Sequence, residues 1–237
     1  MADFRVCLSP SNQDGNPYAS GGVTEADVCG LIAKAAQVVL DAHGVKTICP
    51  HLDGMAEKCR QSDAFGANLH VPIHTNASVP HTAVGTRCYC SAFGSPGHEA
   101  AKAIWGYLAP LTPTPGDCIK EAPGWYEIAT PAAWTAYVEV DFHDVPSVAE
   151  WLIKNATACG EAIAHGILDY FGIAWDGSHP APAPAPEPAP ETGGKVRHRV
   201  IVEGGRIGSF ADADKATALL EQLSALGVTA RIETVQL

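Results

Sequence analysis

Three ionisable side chains stand where an apolar segment ends or is interrupted. Glu25 opens the helical pattern "VTEADV", His74 ends "LHVPIH", and Glu139 lies inside "AYVEVDF". A carboxylate within an apolar strand pattern is costly to bury unless it is paired, protonated or close to a metal ion. Val138 and Val140 flank Glu139, so the two-residue period of a strand also allows it to face outward. Taken singly, Glu25 is a first-turn acid favoured by the helix dipole, and His74 is an ordinary hydrogen-bonded histidine. The run "FRVCLSPSNQDGNPYASGGVTEADV" reads as strand, polar loop and helix, the order in which α/β enzymes build sites at the carboxyl ends of strands. Its loop carries Asn12 and Gln13 and no histidine.

The elements that must position these groups follow from periodicity. Residues 4–9 read as a strand. From Thr24, a suitable N-cap, Val28, Leu31, Ile32, Ala35, Val38 and Val39 recur at helical spacing until Gly44. "VKTIC" is a second strand, "MAEKCRQSDAFGA" a helix, and "LHVPIH" and "GTRCYCSAF" further strands. "GHEAAKAIWGYLAPL" is helical up to Pro110, "TAYVEVDF" is a strand, and "PSVAEWLIKNATACGEAIAHGILDYFG" is a long closing helix begun by Pro146. Strands alternating with helices predict an α/β fold, a mostly parallel twisted sheet with helices on both faces.

The sequence "SHPAPAPAPEPAPETGGK" is an extended Pro/Ala-rich spacer. It divides the chain into a first domain at 1–176, a linker at 177–194 and a small α+β domain at 195–237. In the last of these, two strands, a helix with Leu219, Leu220, Leu223 and Leu226 on one stripe, and a final strand make a ββαβ unit. A unit this small buries little core, so docking or self-pairing into a homodimer is expected.

At 237 residues and 46% hydrophobic, the chain can bury one substantial core and a small one. A formal net charge of −11 excludes nucleic acid and anionic membranes as electrostatic partners. The start of the sequence holds Arg5 within a strand-like run, with neither an apolar core segment nor a small-residue cleavage site, so synthesis in the cytoplasm without a signal peptide is expected. The eight cysteines form no CxxC pair and are read as reduced thiols.

In order along the chain, the helix-opening Glu25, the strand-end "PIHTNA", "GTRCYC", "LAPLTPTPGDCIKEAPGWYEI" and "YVEVDFHDVPSVAEWL" resemble the zinc-dependent N-acetylmuramoyl-L-alanine amidases, over residues 4 to about 172. The resemblance implies hydrolysis of the amide between muramic acid and the first alanine of peptidoglycan. It implies Glu25 and His74 as zinc ligands. Glu139 would be the general base that activates the zinc-bound water and later protonates the leaving amine. Where the family has a first-loop histidine, this sequence has Asn12, and Gln13, next in line, is the expected third ligand; Asn12, His143 in "DFHD" and His70 are alternatives, with His81 less well placed. An amide oxygen is a poorer zinc ligand than imidazole. The same departure therefore supports a second reading, a non-catalytic peptidoglycan-binding protein with a degenerate metal site.

The tail loosely resembles part of a SPOR-type peptidoglycan-binding module. Catalytic domain, proline spacer and small terminal module are how endolysins and autolysins are built. The expectation is action at the cell wall, reached by phage-type release or another export route.

Overall fold

The computed structural model describes residues 3–79, 81–114, 118–175, 196–202, 205–210, 213–226 and 228–236. The Pro/Ala-rich linker expected at 177–194 lies outside the described residues. The chain divides into two compact units, Met1–Gly177 and Ser178–Leu237.

Alternation along the strands makes the sheet of the first unit two-sided. In β1 (Arg5–Pro10), Val6 and Leu8 enter the main apolar core, while Cys7 and Ser9 point to the other face. The same split runs through β3 (Leu69–Asn76), where Leu69, Val71 and Ile73 oppose His70, Pro72 and His74, and through β7 (Tyr137–Phe142), where Val138 and Val140 oppose Tyr137 and Glu139. With β2 (Lys46–Ile48), β4 (Arg87–Cys90) and β5 (Cys118–Glu121) the order is β2-β1-β3-β7-β4-β5, and the two-residue β6 (Trp134–Thr135) pairs with β3. All pairings are parallel except β4 with β7.

Three long helices, α1 (Glu25–Ala42), α3 (Pro96–Leu108) and α5 (Pro146–Tyr170), supply Ile32, Ala36, Leu40, Ala101, Ile104, Leu152, Ile163 and Ile167 to the core on the apolar face. The opposite face is covered by α2 (Met55–Phe65) and by the single turn of α4 (Tyr126–Ala129). Helices thus lie on both faces of a mostly parallel sheet, as the alternation of elements predicts. The short β5, β6 and α4 are not among the elements read from the periodicity.

In the second unit, β8 (Val196–Val202), β9 (Gly205–Phe210), α6 (Ala213–Ala225) and β10 (Ala230–Gln236) form an antiparallel sheet of order β10-β8-β9 with one helix. Leu219, Leu220, Leu223 and Leu226 are buried. Among the described residues no helix is long and apolar enough to cross a membrane, and all eight cysteines are free.

The long helices approach one another through glycine. A Cβ on Gly160 would collide with the backbone of Ile32 in α1, and one on Gly166 with the backbone of Ile104 in α3. Gly106 of α3 meets open space. Gly166→Ala is therefore expected to destabilise the first unit by about 2 kcal/mol or more. Gly106→Ala should stabilise it by up to about 1 kcal/mol through helix propensity. Urea-unfolding midpoints of the two variants, moving in opposite directions, check both.

Candidate metal centre and catalytic carboxylate

Thr24 caps α1 through a reciprocal box in which its Oγ1 accepts from Asp27 N and its own N–H donates to Asp27 Oδ2. Glu25 is thereby set as the first helical residue, buried at the top of β3. Its Oε1 lies 2.8 Å from His74 Nδ1, and its Oε2 accepts from Asn16 Nδ2 at 2.7 Å. The β3–β7 register places Glu139 directly opposite His74, and paired residues of parallel strands project from the same face. Glu25, His74 and Glu139 therefore share one buried neighbourhood, assembled from a helix start and two adjacent strands.

A fourth group completes it. Glu127 of α4 is buried, with Oε1 accepting from Ser9 Oγ at 2.5 Å and from His70 Nε2 at 3.4 Å. Its Oε2 faces His74 Nε2 at 3.9 Å, beyond hydrogen-bond reach. Lys58 of α2 is fully buried and donates to the Pro10 carbonyl. Behind the Glu25–His74 pair there is thus a layer of polar side chains supplied by the sheet's second face.

Electrostatics follow from burial. Desolvation pushes the Glu139 carboxyl up to about 8, aided by the Glu25 charge and only partly opposed by His74 and Arg87. Its buried Oε2 has no hydrogen-bond partner among the described residues. Burial also works against protonation of His74, but Glu127, Glu25 and Glu139 overcome it and raise the imidazole to about 9. The same desolvation acts on Glu25 and Glu127; contacts with His74, Ser11 and Asn16 hold the first low, and His70, His74, Ser9 and the Lys58 charge hold the second low. Without a metal, a protonated imidazole thus supplies the positive charge between carboxylates.

A divalent cation fits this donor set. Buried carboxylates outnumber buried cations, Glu25 and His74 already turn ligand atoms toward each other, and Glu139 holds an unpartnered oxygen beside them. Cys59, His70 and Glu127 form another group whose ligand atoms lie within 4.8 Å of one another. Burial raises the Cys59 thiol to about 11, which disfavours the thiolate a metal requires, and Glu127 is already engaged by Ser9. We read that group as the hydrogen-bonded backing of His74.

The other residues singled out in the sequence are placed as follows. Gln13 is exposed, and its backbone carbonyl accepts from Asn16 N and Ala26 N at the head of α1. Its side chain is not among the described partners of Glu25, which are His74, Asn16 and Ser11. Asn12 donates through Nδ2 to the Asp53 carbonyl at 2.9 Å. His143 is held by Thr75 Oγ1 and O, each at 2.9 Å, and stacks on Tyr18. His81 contacts Asp144. Sequence reasoning missed Glu127, Asn16 and Ser9; only the strand alternation that puts Ser9 on the face of His70 and His74 hinted at them.

Comparison with known proteins gives the family and the fold. The N-acetylmuramoyl-L-alanine amidase family matches residues 6–169. Similar solved structures include the catalytic domain of CwlV, an N-acetylmuramoyl-L-alanine amidase from Bacillus (Paenibacillus) polymyxa var. colistinus, at 19% identity and TM-score 0.65, covering 72% of this chain and 99% of that one. The amidase AmiC2 of Nostoc punctiforme is similar at 21% identity and TM-score 0.63, covering 73% and 99%. The catalytic domain of the CD27L endolysin targeting Clostridia difficile is similar at 18% identity and TM-score 0.58, covering 70% and 97%. A search of the curated proteins found no match. With a family match spanning nearly all of the first unit, and with solved amidases sharing its fold, this chain belongs to the N-acetylmuramoyl-L-alanine amidases.

Proposed function

We propose that the first unit hydrolyses the amide between N-acetylmuramic acid and L-alanine in peptidoglycan, with Glu25 and His74 holding a zinc ion and Glu139 moving the proton. The observation that carries this is the 2.8 Å Glu25–His74 pair facing Glu139 across the β3–β7 register. When bound, zinc supplies Lewis acidity, polarising a carbonyl and acidifying water.

The chain's own residues do the rest. Glu139 accepts the proton of the attacking water at its unpartnered Oε2 and returns it to the amine nitrogen as the C–N bond breaks. Burial holds its carboxyl high in the metal-free chain, and a dication beside it would lower it toward the range in which a carboxylate can take up a proton. Glu127 faces the distal nitrogen of His74 and leaves Nδ1 turned toward Glu25. The first loop is proposed to supply the third ligand through Gln13; Asn16, whose amide already touches Glu25, is the side chain geometry adds to the choice.

The second unit is proposed to bind the wall or to pair with a second copy, and the whole to act at the cell wall. The non-catalytic reading has one observation in its favour, that the loop "SNQDGN" offers amides and one carboxylate but no imidazole.

A peptidoglycan-release assay tests the function. Glu139→Gln is expected to lower release by about 100-fold or more, and a chelator should abolish release by the natural chain until zinc is restored. Release at background level in both proteins, with zinc or without it, would establish the binding-only reading.

Burial of Glu139 has a second consequence. A carboxyl whose folded pKa is raised stabilises the fold below the unfolded value, near 4.5, and loses that contribution as pH rises through about 8. The metal-free Glu139→Gln protein should therefore melt above the natural chain at pH 9, by on the order of 1 kcal/mol or more, and the gap should close by pH 5. Melting curves with chelator across that range read the difference.

Glu127→Gln, which removes the charge facing His74, is expected to weaken zinc binding by about tenfold or more. Competition with a chromophoric chelator measures it while Glu139 is untouched.

A further inference from the structure

We infer that Trp125 is the platform on which the muramyl sugar of the substrate lies. The inference rests on the amidase reading above and adds the part of the substrate that its surface recognises.

The single turn of α4 presents two unlike side chains in opposite directions. Glu127 turns inward with 3% exposure, while Trp125, the residue capping the same turn, is 40% exposed and its neighbour Tyr126 47%. Trp125 is nonetheless held. Its ring lies 4.4 Å from that of Tyr89 and meets Tyr137 edge-on at 5.0 Å. Tyr137 in turn stacks on the imidazole of His74, at 4.9 Å and an interplanar angle of 18°. Tyr137 is two residues before Glu139 on the same face of β7, and Tyr89 is its register partner on β4. The rings thus step outward from the nearly sealed imidazole, through the half-buried Tyr137, to the open Trp125.

A rigid ring braced by two others loses little conformational freedom when something is laid on it. So near the reacting centre, the something must be one of the two groups that flank the scissile amide. The stem peptide brings carboxylates, which the negative face of an aromatic ring repels. A pyranose offers a face of C–H bonds with hydroxyls directed sideways, which suits an uncharged, flat and partly wet surface. Trp125 and Tyr126 are both uncharged, and the sugar is the group that fits.

The test compares Trp125→Ala and Trp125→Phe in the full chain loaded with zinc, on a soluble muramyl peptide. Trp125→Ala is expected to raise KM about tenfold with a smaller change in kcat, and Trp125→Phe to recover most of the loss. A muramyl saccharide lacking peptide should compete with substrate in the natural chain and lose that competition in Trp125→Ala, while free stem peptide competes equally with both. An unchanged KM in Trp125→Ala, or loss of peptide competition instead of saccharide competition, would overturn the inference. Should Trp125→Ala fail to fold, the Trp125 indole N–H resonance of the natural chain decides: it should shift with saccharide and not with peptide, and the reverse would count against the platform. Saccharide binding is read without turnover, so this outcome is separate from that of the Glu139→Gln release assay.

Discussion

The contact between Glu25 and His74 is the constraint around which the first unit is organised. It joins a helix start to a strand end, out of water, and the surrounding carboxylates favour positive charge on the imidazole. Glu127 adds further negative charge to the same pocket, where Lys58 is also buried, while burial discourages a charge on Glu139. In the metal-free chain a proton on His74 supplies the balance; a divalent cation would do so with greater charge. The site is thus held in a state of electrostatic demand, and the fold pays for that demand elsewhere.

That compensation comes from the opposite face of the sheet. Val6, Leu8, Val71, Ile73, Val138 and Val140 bury against three long helices that approach closely enough to require glycine at Gly160 and Gly166. Because side chains alternate, every apolar residue on that face sits next in sequence to a residue on the polar face. A one-residue slip of β3 or β7 would exchange the two sets, so core packing also locks His74 and Glu139 in register.

The polar face has a thin cover, and that suits a site that must be reached. It consists of α2 and one turn of α4 in place of a helical layer. The turn of α4 is tied down by Glu127 to Ser9 and His70, and through Trp125 to Tyr89 and Tyr137. A four-residue helix has no stability of its own; here it is an appendage of the sheet, and its two anchored side chains connect the charge cluster to the protein surface.

The main elements were legible because each is long enough to repeat a pattern. Eighteen residues of α1 and six of β7 declare themselves by spacing, and with them the α/β class and the positions of Glu25 at a helix start, His74 near a strand end and Glu139 within a strand. What the chain's order of residues did not disclose is which polar groups meet. Ser9, Glu127 and His70 are 118 and 57 residues apart in their contacts, and nothing local marks them as partners. The loop after β1 is the clearest case: the family resemblance singled out Asn12 and Gln13, yet the backbone turns so that Asn16 reaches Glu25 while Gln13 faces solvent. Periodicity is a local property and was determined by sequence alone; hydrogen-bond partnership and charge balance depend on distances that only the folded sheet sets.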